Sequence, residues 1–234
     1  MQFSGKNILI VGASSGIGLA IAQSLQTEGA TLFTASRTTP VGIQSTHLTW
    51  DVAQPAAGIF DTLPEVLHGI VYAPGTINLK PFQRFSLEDF KQDFDINVLG
   101  AVAAIQANLT RLRKAGGASI VLFSTVAVQM GMGFHASIAT AKGAVEGLTR
   151  SLAAELAAVK IRCNALAPSL TDTPLANALL STNEKREASN KRHPIGRVGT
   201  AQDLAAAAKL LLSDEGSWIT GQVIGIDGGM GRLK

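Results

Sequence analysis

The chain has 234 residues, 46% hydrophobic and 16% charged, which is long enough for one α/β domain and too apolar for a disordered chain. Its formal charge of +3 is small and its Lys and Arg are scattered, which argues against a nucleic-acid surface. The densest basic patch, Arg111-Leu112-Arg113-Lys114, reads as a solvated helix end. Cys163 is the only cysteine, so an internal disulfide is excluded and a buried thiol in a cytoplasmic protein is expected. No apolar run approaches membrane-spanning length, and residues 1–6 lead to a strand without a signal region.

In chain order, NILIV at residues 7–11 is a continuous apolar run, the pattern of a parallel strand buried on both faces. It enters a glycine-rich turn and then a helix over 17–28, with Ile17, Ile21, Ala22 and Leu25 at helical spacing. Strands follow at 31–35 and 47–50, joined by a short Thr- and Pro-rich loop instead of a helical crossover. A fourth strand is expected at 69–73. Ser86-Leu87-Glu88-Asp89 resembles a capping box and opens a long helix to about 111. Then come a strand at 118–123, a long helix at 137–158 and a strand at 161–166. A polar stretch, helical in pieces, follows at 171–193, then a helix at 201–212 and a last strand at 222–226. The strand–helix alternation predicts an α/β fold of Rossmann type: a doubly wound parallel sheet of about seven strands in a single domain, 1–234.

Gly12-Ala13-Ser14-Ser15-Gly16-Ile17-Gly18 lies where the first strand becomes the first helix. Glycines allow a tight turn and close backbone approach to a pyrophosphate, which the positive helix end favours. The spacing is G-x-x-x-G-x-G, longer than the commonest dinucleotide fingerprint, and it resembles the short-chain dehydrogenase/reductase family. The resemblance covers nearly the whole chain. Trp50-Asp51-Val52 looks like the family's adenine-contacting Asp. Asn97 matches its helix asparagine, and Ala167-Pro168-Ser169-Leu170-Thr171-Asp172-Thr173 resembles its P-G-x-x-x-T segment. Ile219-Thr220-Gly221-Gln222 and Asp227-Gly228-Gly229 match its C-terminal signature.

The resemblance implies cofactor contacts from Gly12, Ser14, Ser15, Gly16, Ile17 and Gly18; from Asp51, Val52, Ala73 and Gly75; and from Lys142, Pro168, Thr171 and Thr173. Ser36-Arg37 at the end of the second strand carries no carboxylate and offers a guanidinium suited to phosphate. NADP(H) is therefore preferred over NAD(H), a surface arginine being the plain alternative. The resemblance also implies a substrate lid around 171–200 and a homotetramer or homodimer built through the two long helices and the C-terminal strand. No metal, nucleic acid or membrane partner is expected.

The family's active site uses Ser, Tyr-x-x-x-Lys and Asn. Here those positions fall on Thr125, Ile138, Lys142 and Asn97: three polar groups around a missing phenol. Ile138 can neither donate nor accept a proton. Thr125 keeps a hydroxyl for the substrate, whereas strand alternation turns Ser124 away. His135 is either a replacement donor, with a side chain suited to proton transfer near neutral pH, or a loop histidine touching solvent or substrate. His193 reads as a solvent-facing lid residue, Asp172 as a helix N-cap and Tyr72 as a packing residue. Two functions stay open: an NADP(H)-dependent oxidoreductase of carbonyl/alcohol substrates with an atypical site, or a non-catalytic NADP(H)-binding sensor, scaffold or partner subunit.

Overall fold

A computed structural model describes residues 1–233. Seven parallel strands form one sheet in the order β3-β2-β1-β4-β5-β6-β9. They are β1 (Asn7–Val11), β2 (Thr31–Ser36), β3 (Thr46–Thr49), β4 (Gly69–Tyr72), β5 (Ala118–Phe123), β6 (Ile161–Pro168) and β9 (Val223–Ile226). The continuous apolar runs are what a sheet covered on both faces requires. Within β1, Leu9 and Val11 join one core cluster while Ile8 and Ile10 join the other. The same alternation divides Ile120 and Leu122 from Val121 and Phe123 in β5.

Helices α1 (Gly16–Thr27) and α7 (Ala201–Leu212) cover one face; α3 (Gly100–Lys114) and α5 (Ala136–Leu156) cover the other. The β2–β3 connection is a plain loop, as the sequence indicates. The capping box at the start of α2 (Leu87–Phe94) is complete: the Ser86 hydroxyl accepts from the Asp89 amide and the Asp89 carboxylate accepts from the Ser86 amide. A second one, Thr200–Asp203, opens α7. Two small elements escape the sequence reading: α4 (Ala127–Met130), and a β7 (Thr171–Asp172) and β8 (Gly199–Thr200) pair outside the main sheet. Each is too short to show a period.

The expected long helix over 86–111 is continuous but not uniform. Between α2 and α3 lies a π-helical segment, Asp95–Leu99, one widened turn that carries Asn97. Tyr72 packs beneath it, 2% exposed, and its hydroxyl donates to Ile96 O. A Cβ on Gly100 would fall 2.1 Å from that hydroxyl oxygen, so only glycine lets the helix approach the phenol. Tyr72 is thus the packing residue expected, and burial holds its ionisation far above the ordinary range.

The basic patch behaves differently from the expectation. Arg113 and Lys114 are exposed, but Arg111 is half-buried and donates to Phe60 O and Pro64 O at 3.0 and 3.1 Å. Its long planar fork satisfies loop carbonyls that no strand or helix engages. Cys163 is fully buried, and burial pushes its thiol up to about 12, leaving it inert.

Candidate active site

A cleft of about 320 Å³ opens at the carboxyl ends of the strands, where the order reverses between β1 and β4. Among its lining residues are Ile17, Ala73, Gly75, Thr125, His135, Ile138, Lys142, Pro168, Thr171 and Thr173. Residues far apart in sequence are therefore gathered by topology into one place.

At the nucleotide end, Gly12 leaves β1 with φ 83°, and a Cβ there would lie 2.9 Å from the Pro74 nitrogen. Gly16 turns into α1 with φ 55°. Ser15, the N-cap of α1, makes no side-chain cap bond, and the first turn holds no acidic residue. The first amides and the positive end of this helix thus have no anionic partner from the protein, an arrangement that fits a phosphate group. Asp51 is exposed, its Oδ1 accepting from the Ala53 amide at 3.1 Å, with Val52 half-buried beside it. Arg37 is exposed and makes no hydrogen bond or ion pair among the described residues. Ser36 is buried instead, and its hydroxyl donates to Thr38 O at 2.8 Å, shaping the loop that presents Arg37.

At the other end, Ile138 lines the cleft at 6% exposure. One turn later on α5, Lys142 is 7% exposed and donates from Nζ to Phe123 O at 2.8 Å. Burial lowers its ammonium to about 8, against the opposing pull of the Asp93 carboxylate, which favours the charged form. The Asn97 amide nitrogen donates to Asp93 O at 2.7 Å and to Thr76 Oγ1 at 3.0 Å, while its Oδ1 is buried with no partner. A methyl group on Gly75 would lie 3.5 Å from that Oδ1 and 3.7 Å from Lys142 Nζ. The orphan acceptor and the ammonium therefore flank one small space beside Gly75, suited to an oxygen that donates to one and accepts from the other.

Thr125 lines the cleft, its Oγ1 accepting from the Ala127 amide at 3.3 Å, so its hydroxyl hydrogen remains free for a ligand. Ser124, expected to face away by strand alternation, lies past the end of β5 and also lines the cleft, although its hydroxyl donates to the buried Glu146 carboxylate at 2.8 Å. His135 is half-exposed at the N-cap of α5, with Nδ1 2.6 Å from Gly133 O. That carbonyl fixes Nδ1–H, which leaves Nε2 as the ring atom available to a ligand.

The segment 171–200 departs from two expectations. His193 is not solvent-facing: it is 2% exposed, Nδ1 donates to Ser189 O at 2.7 Å, and Nε2 lies 2.8 Å from Ser169 Oγ. The serine standing at the family's usual glycine position thus latches the end of β6 to α6 (Asn183–Lys191) through this histidine. Asp172 does not cap a helix; Thr173 occupies the N-cap of the short Pro174–Leu180 helix, and Asp172 pairs with Arg186 at 2.7 Å. A guanidinium within reach gives a carboxylate a stronger partner than a helix amide.

Sequence reasoning missed the polar cluster under the cleft. Asp93 is 2% exposed, with Oδ1 accepting from Thr76 Oγ1 and Oδ2 from Ser137 Oγ, each at 2.5 Å. The available signals were the i, i+4 spacing of Asp93 and Asn97 and the position of Ser137 next to Ile138.

Comparison with known proteins shows the family. The family profile described as enoyl-(acyl carrier protein) reductase matches residues 12–231. A tropinone reductase homolog of Arabidopsis thaliana is 33% identical over 98% of this chain and 94% of its own length. The 3-oxoacyl-(acyl-carrier-protein) reductase FabG of Thermotoga maritima is 32% identical over 98% of this chain and 99% of its own length. Among solved structures, the gluconate 5-dehydrogenase of Burkholderia cenocepacia, in complex with NADP and tartrate, aligns with TM-score 0.90 and 27% identity over 98% of this chain and 96% of that one. The aldohexose dehydrogenase of Thermoplasma acidophilum aligns with TM-score 0.89 and 29% identity over 97% and 94% of the two chains. The chain belongs to the short-chain dehydrogenase/reductase family of NAD(P)-dependent oxidoreductases, whose chemistry is carbonyl/alcohol redox. Among the described residues no helix is long and apolar enough to cross a membrane, and no cluster of His, Cys, Asp or Glu could hold a metal ion.

Proposed function

We propose that this protein is an NADP(H)-dependent oxidoreductase of a carbonyl/alcohol substrate, working in the cytoplasm as a homodimer or homotetramer, with an active site that lacks the tyrosine donor. The observation that carries this reading is the meeting of Lys142 Nζ and the orphan Asn97 Oδ1 on either side of Gly75, in the cleft that Thr125 also lines. A site with no chemistry to perform has no need to bury an ammonium and leave an amide oxygen without a partner.

Bound NADP(H) supplies or removes the hydride. The first-turn amides of α1, with Ser14 and Ser15, hold its pyrophosphate, and Arg37 takes the 2′-phosphate. Lys142 holds the nicotinamide ribose, while Asn97 Oδ1 holds a water. Thr125 donates to the substrate oxygen, and His135 is a candidate proton donor from the rim. The rest of the wall is largely apolar, with Ile77, Leu79, Met132, Leu175, Leu179 and Met230, which suits a substrate with an apolar body.

Ile138 favours the second reading, a non-catalytic NADP(H)-binding protein, because an alkyl chain occupies the phenol's place. Stopped-flow hydride transfer from NADPH to a panel of carbonyls separates the two. Turnover that falls in Lys142→Ala supports the enzyme, and the His135→Ala control reports whether the rim histidine contributes. Tight NADPH binding without turnover on any carbonyl would sink it. Ile138→Tyr is expected to raise reduction of simple ketones by roughly 10²–10⁴-fold, the usual worth of a positioned acid.

The cofactor preference has its own check. A charge-assisted arginine–phosphate contact contributes about 1.5–3 kcal/mol. Arg37→Ala should therefore weaken NADPH binding by roughly 10–100-fold, with NADH binding little changed, as read by quenching of protein fluorescence. Equal losses for both cofactors would mean that Arg37 does not read the phosphate.

A further inference from the structure

Asp93 is a buried carboxylate that none of the roles above uses. Its side chain is sealed under the cleft, 2% exposed, and its two oxygens meet only uncharged hydroxyls. Thr76 Oγ1 accepts from the Asn97 amide and donates to Asp93 Oδ1, and Ser137 Oγ donates to Oδ2. Burying an ionised carboxylate without a cation in hydrogen-bond reach costs several kcal/mol, which a positive charge nearby offsets in part. Lys142 is the cation on which the Asp93 field acts. The Gly75-Thr76 segment approaches both groups: Thr76 bonds Asp93, and a Cβ added to Gly75 would lie 3.7 Å from Lys142 Nζ.

We propose that Lys142 is itself the proton donor of this site and that Asp93 is the positioning carboxylate that keeps it charged. The inference rests on the oxidoreductase reading and adds to it the source of the missing proton. In reduction, the carbonyl carbon takes up hydride from NADPH and forms a C–H bond, and the carbonyl oxygen gains the electron pair of the C=O π bond. One N–H bond of Lys142 breaks as an O–H bond forms at that oxygen, leaving a neutral amine that solvent reprotonates. NADPH is oxidised and the carbonyl reduced. Alcohol oxidation runs the same transfers backwards and needs the neutral amine.

The geometry suits the role. Lys142 Nζ spends one hydrogen on Phe123 O, which leaves two for the cleft. Burial in an apolar wall lowers the ammonium to about 8, a value at which a lysine transfers protons near neutral pH. The other charged groups facing Lys142 are few. Glu146, one turn along α5, is held by Ser124 and Arg150, and His135 and Arg192 stand at the cleft wall. On α2, Asp89 is engaged by Lys80.

The experiment follows the Lys142 side chain directly, by NMR of the protein carrying ε-13C-labelled lysine, with the signal assigned by its loss in Lys142→Arg. Asp93→Asn should lower the Lys142 midpoint by about one pH unit, since it removes the favourable negative charge. Ser137 can accommodate the new amide by turning its hydrogen to Asp89 O, 3.3 Å away. With 2,3-butanedione and NADPH as the probe, the alkaline limb of kcat/KM for reduction should coincide with the Lys142 midpoint in the unmodified protein. It should move with that midpoint in Asp93→Asn. A limb that does not coincide overturns the donor assignment even if the Asp93 variant fails to fold. Bound NADPH with a Lys142 midpoint indifferent to Asp93→Asn overturns the Asp93 assignment alone. Absence of NADPH binding overturns the oxidoreductase reading and the donor role with it.

Discussion

Gly18→Ala is expected to disable both the fold and the cofactor site. A Cβ at this position would lie 2.2 Å from Gly12 O, 2.8 Å from Gly12 C and 3.2 Å from Ala13 Cα. All three are backbone atoms of the turn that α1 closes, so no side chain can swing aside. Gly18 sits inside α1 with no positive φ, which makes steric approach, and not backbone freedom, the reason for glycine. Overpacking costs about 1–3 kcal/mol where neighbours can yield, and here the upper end applies. For a chain of this size each kcal/mol is worth roughly 2–4 °C, so Tm should fall by about 6–12 °C. NADPH binding should be lost as well, because α1 can relieve the clash only by moving its first turn. Gly117, exposed in the loop before β5 with nothing within 4 Å of a Cβ and no positive φ, is the control. Alanine there should stabilise by about 0.4–1 kcal/mol by reducing the freedom of the unfolded chain. Scanning fluorimetry reads both, and equal Tm values for the two variants would contradict the packing described.

Lys142→Met should remove activity while making the protein more stable. Deleting the proposed donor should lower kcat/KM by roughly 10²–10⁴-fold. The stability effect follows from the depressed ionisation, about 8 in the folded protein against 10.5 for an unburied lysine. The unfolded chain holds this proton more tightly. Below about pH 8 the native state therefore carries the full cost of the buried charge, about 3 kcal/mol for such a shift. As pH rises from about 8 to 10.5 the native amine becomes neutral and stability climbs. Methionine fills similar volume without the charge but leaves Phe123 O without its donor, an offset of about 1–2 kcal/mol. The net gain at pH 7 should be about 1–2 kcal/mol, and by pH 10.5 it should reverse to a loss of about 1–2 kcal/mol, because only the missing donor to Phe123 O then counts. Denaturant unfolding across pH measures it; a gain that stays constant from pH 7 to 10.5 would show that Lys142 is not the group responsible.

The legible parts of the molecule were those written in short-range pattern. Runs such as NILIV at 7–11 and ASIVLF at 118–123 announce buried parallel strands because burial on both faces removes polar alternation. The glycine turn announces itself because backbone geometry at Gly12 and Gly16 admits little else. The proposed vacancy at Ile138 was readable because Tyr-x-x-x-Lys is one turn of one helix. Ser86–Asp89 was readable because a capping box lies within four residues.

The sequence by itself thus determined the α/β class, the strand order's raw material, the glycine turn and the isoleucine at position 138. Only the tertiary structure decided what surrounds that absence. Asp93, Thr76 and Ser137 come from α2, the turn after β4 and the start of α5, and no local period relates them. α2 is followed by the widened turn at Asp95–Leu99, where Tyr72 reaches Ile96 O across Gly100. His193 looks like a solvent residue in a polar segment until the fold brings Ser169 to its Nε2. The physical reason is common to these cases. A buried polar group is placed by its partners, and those partners lie far away along the chain.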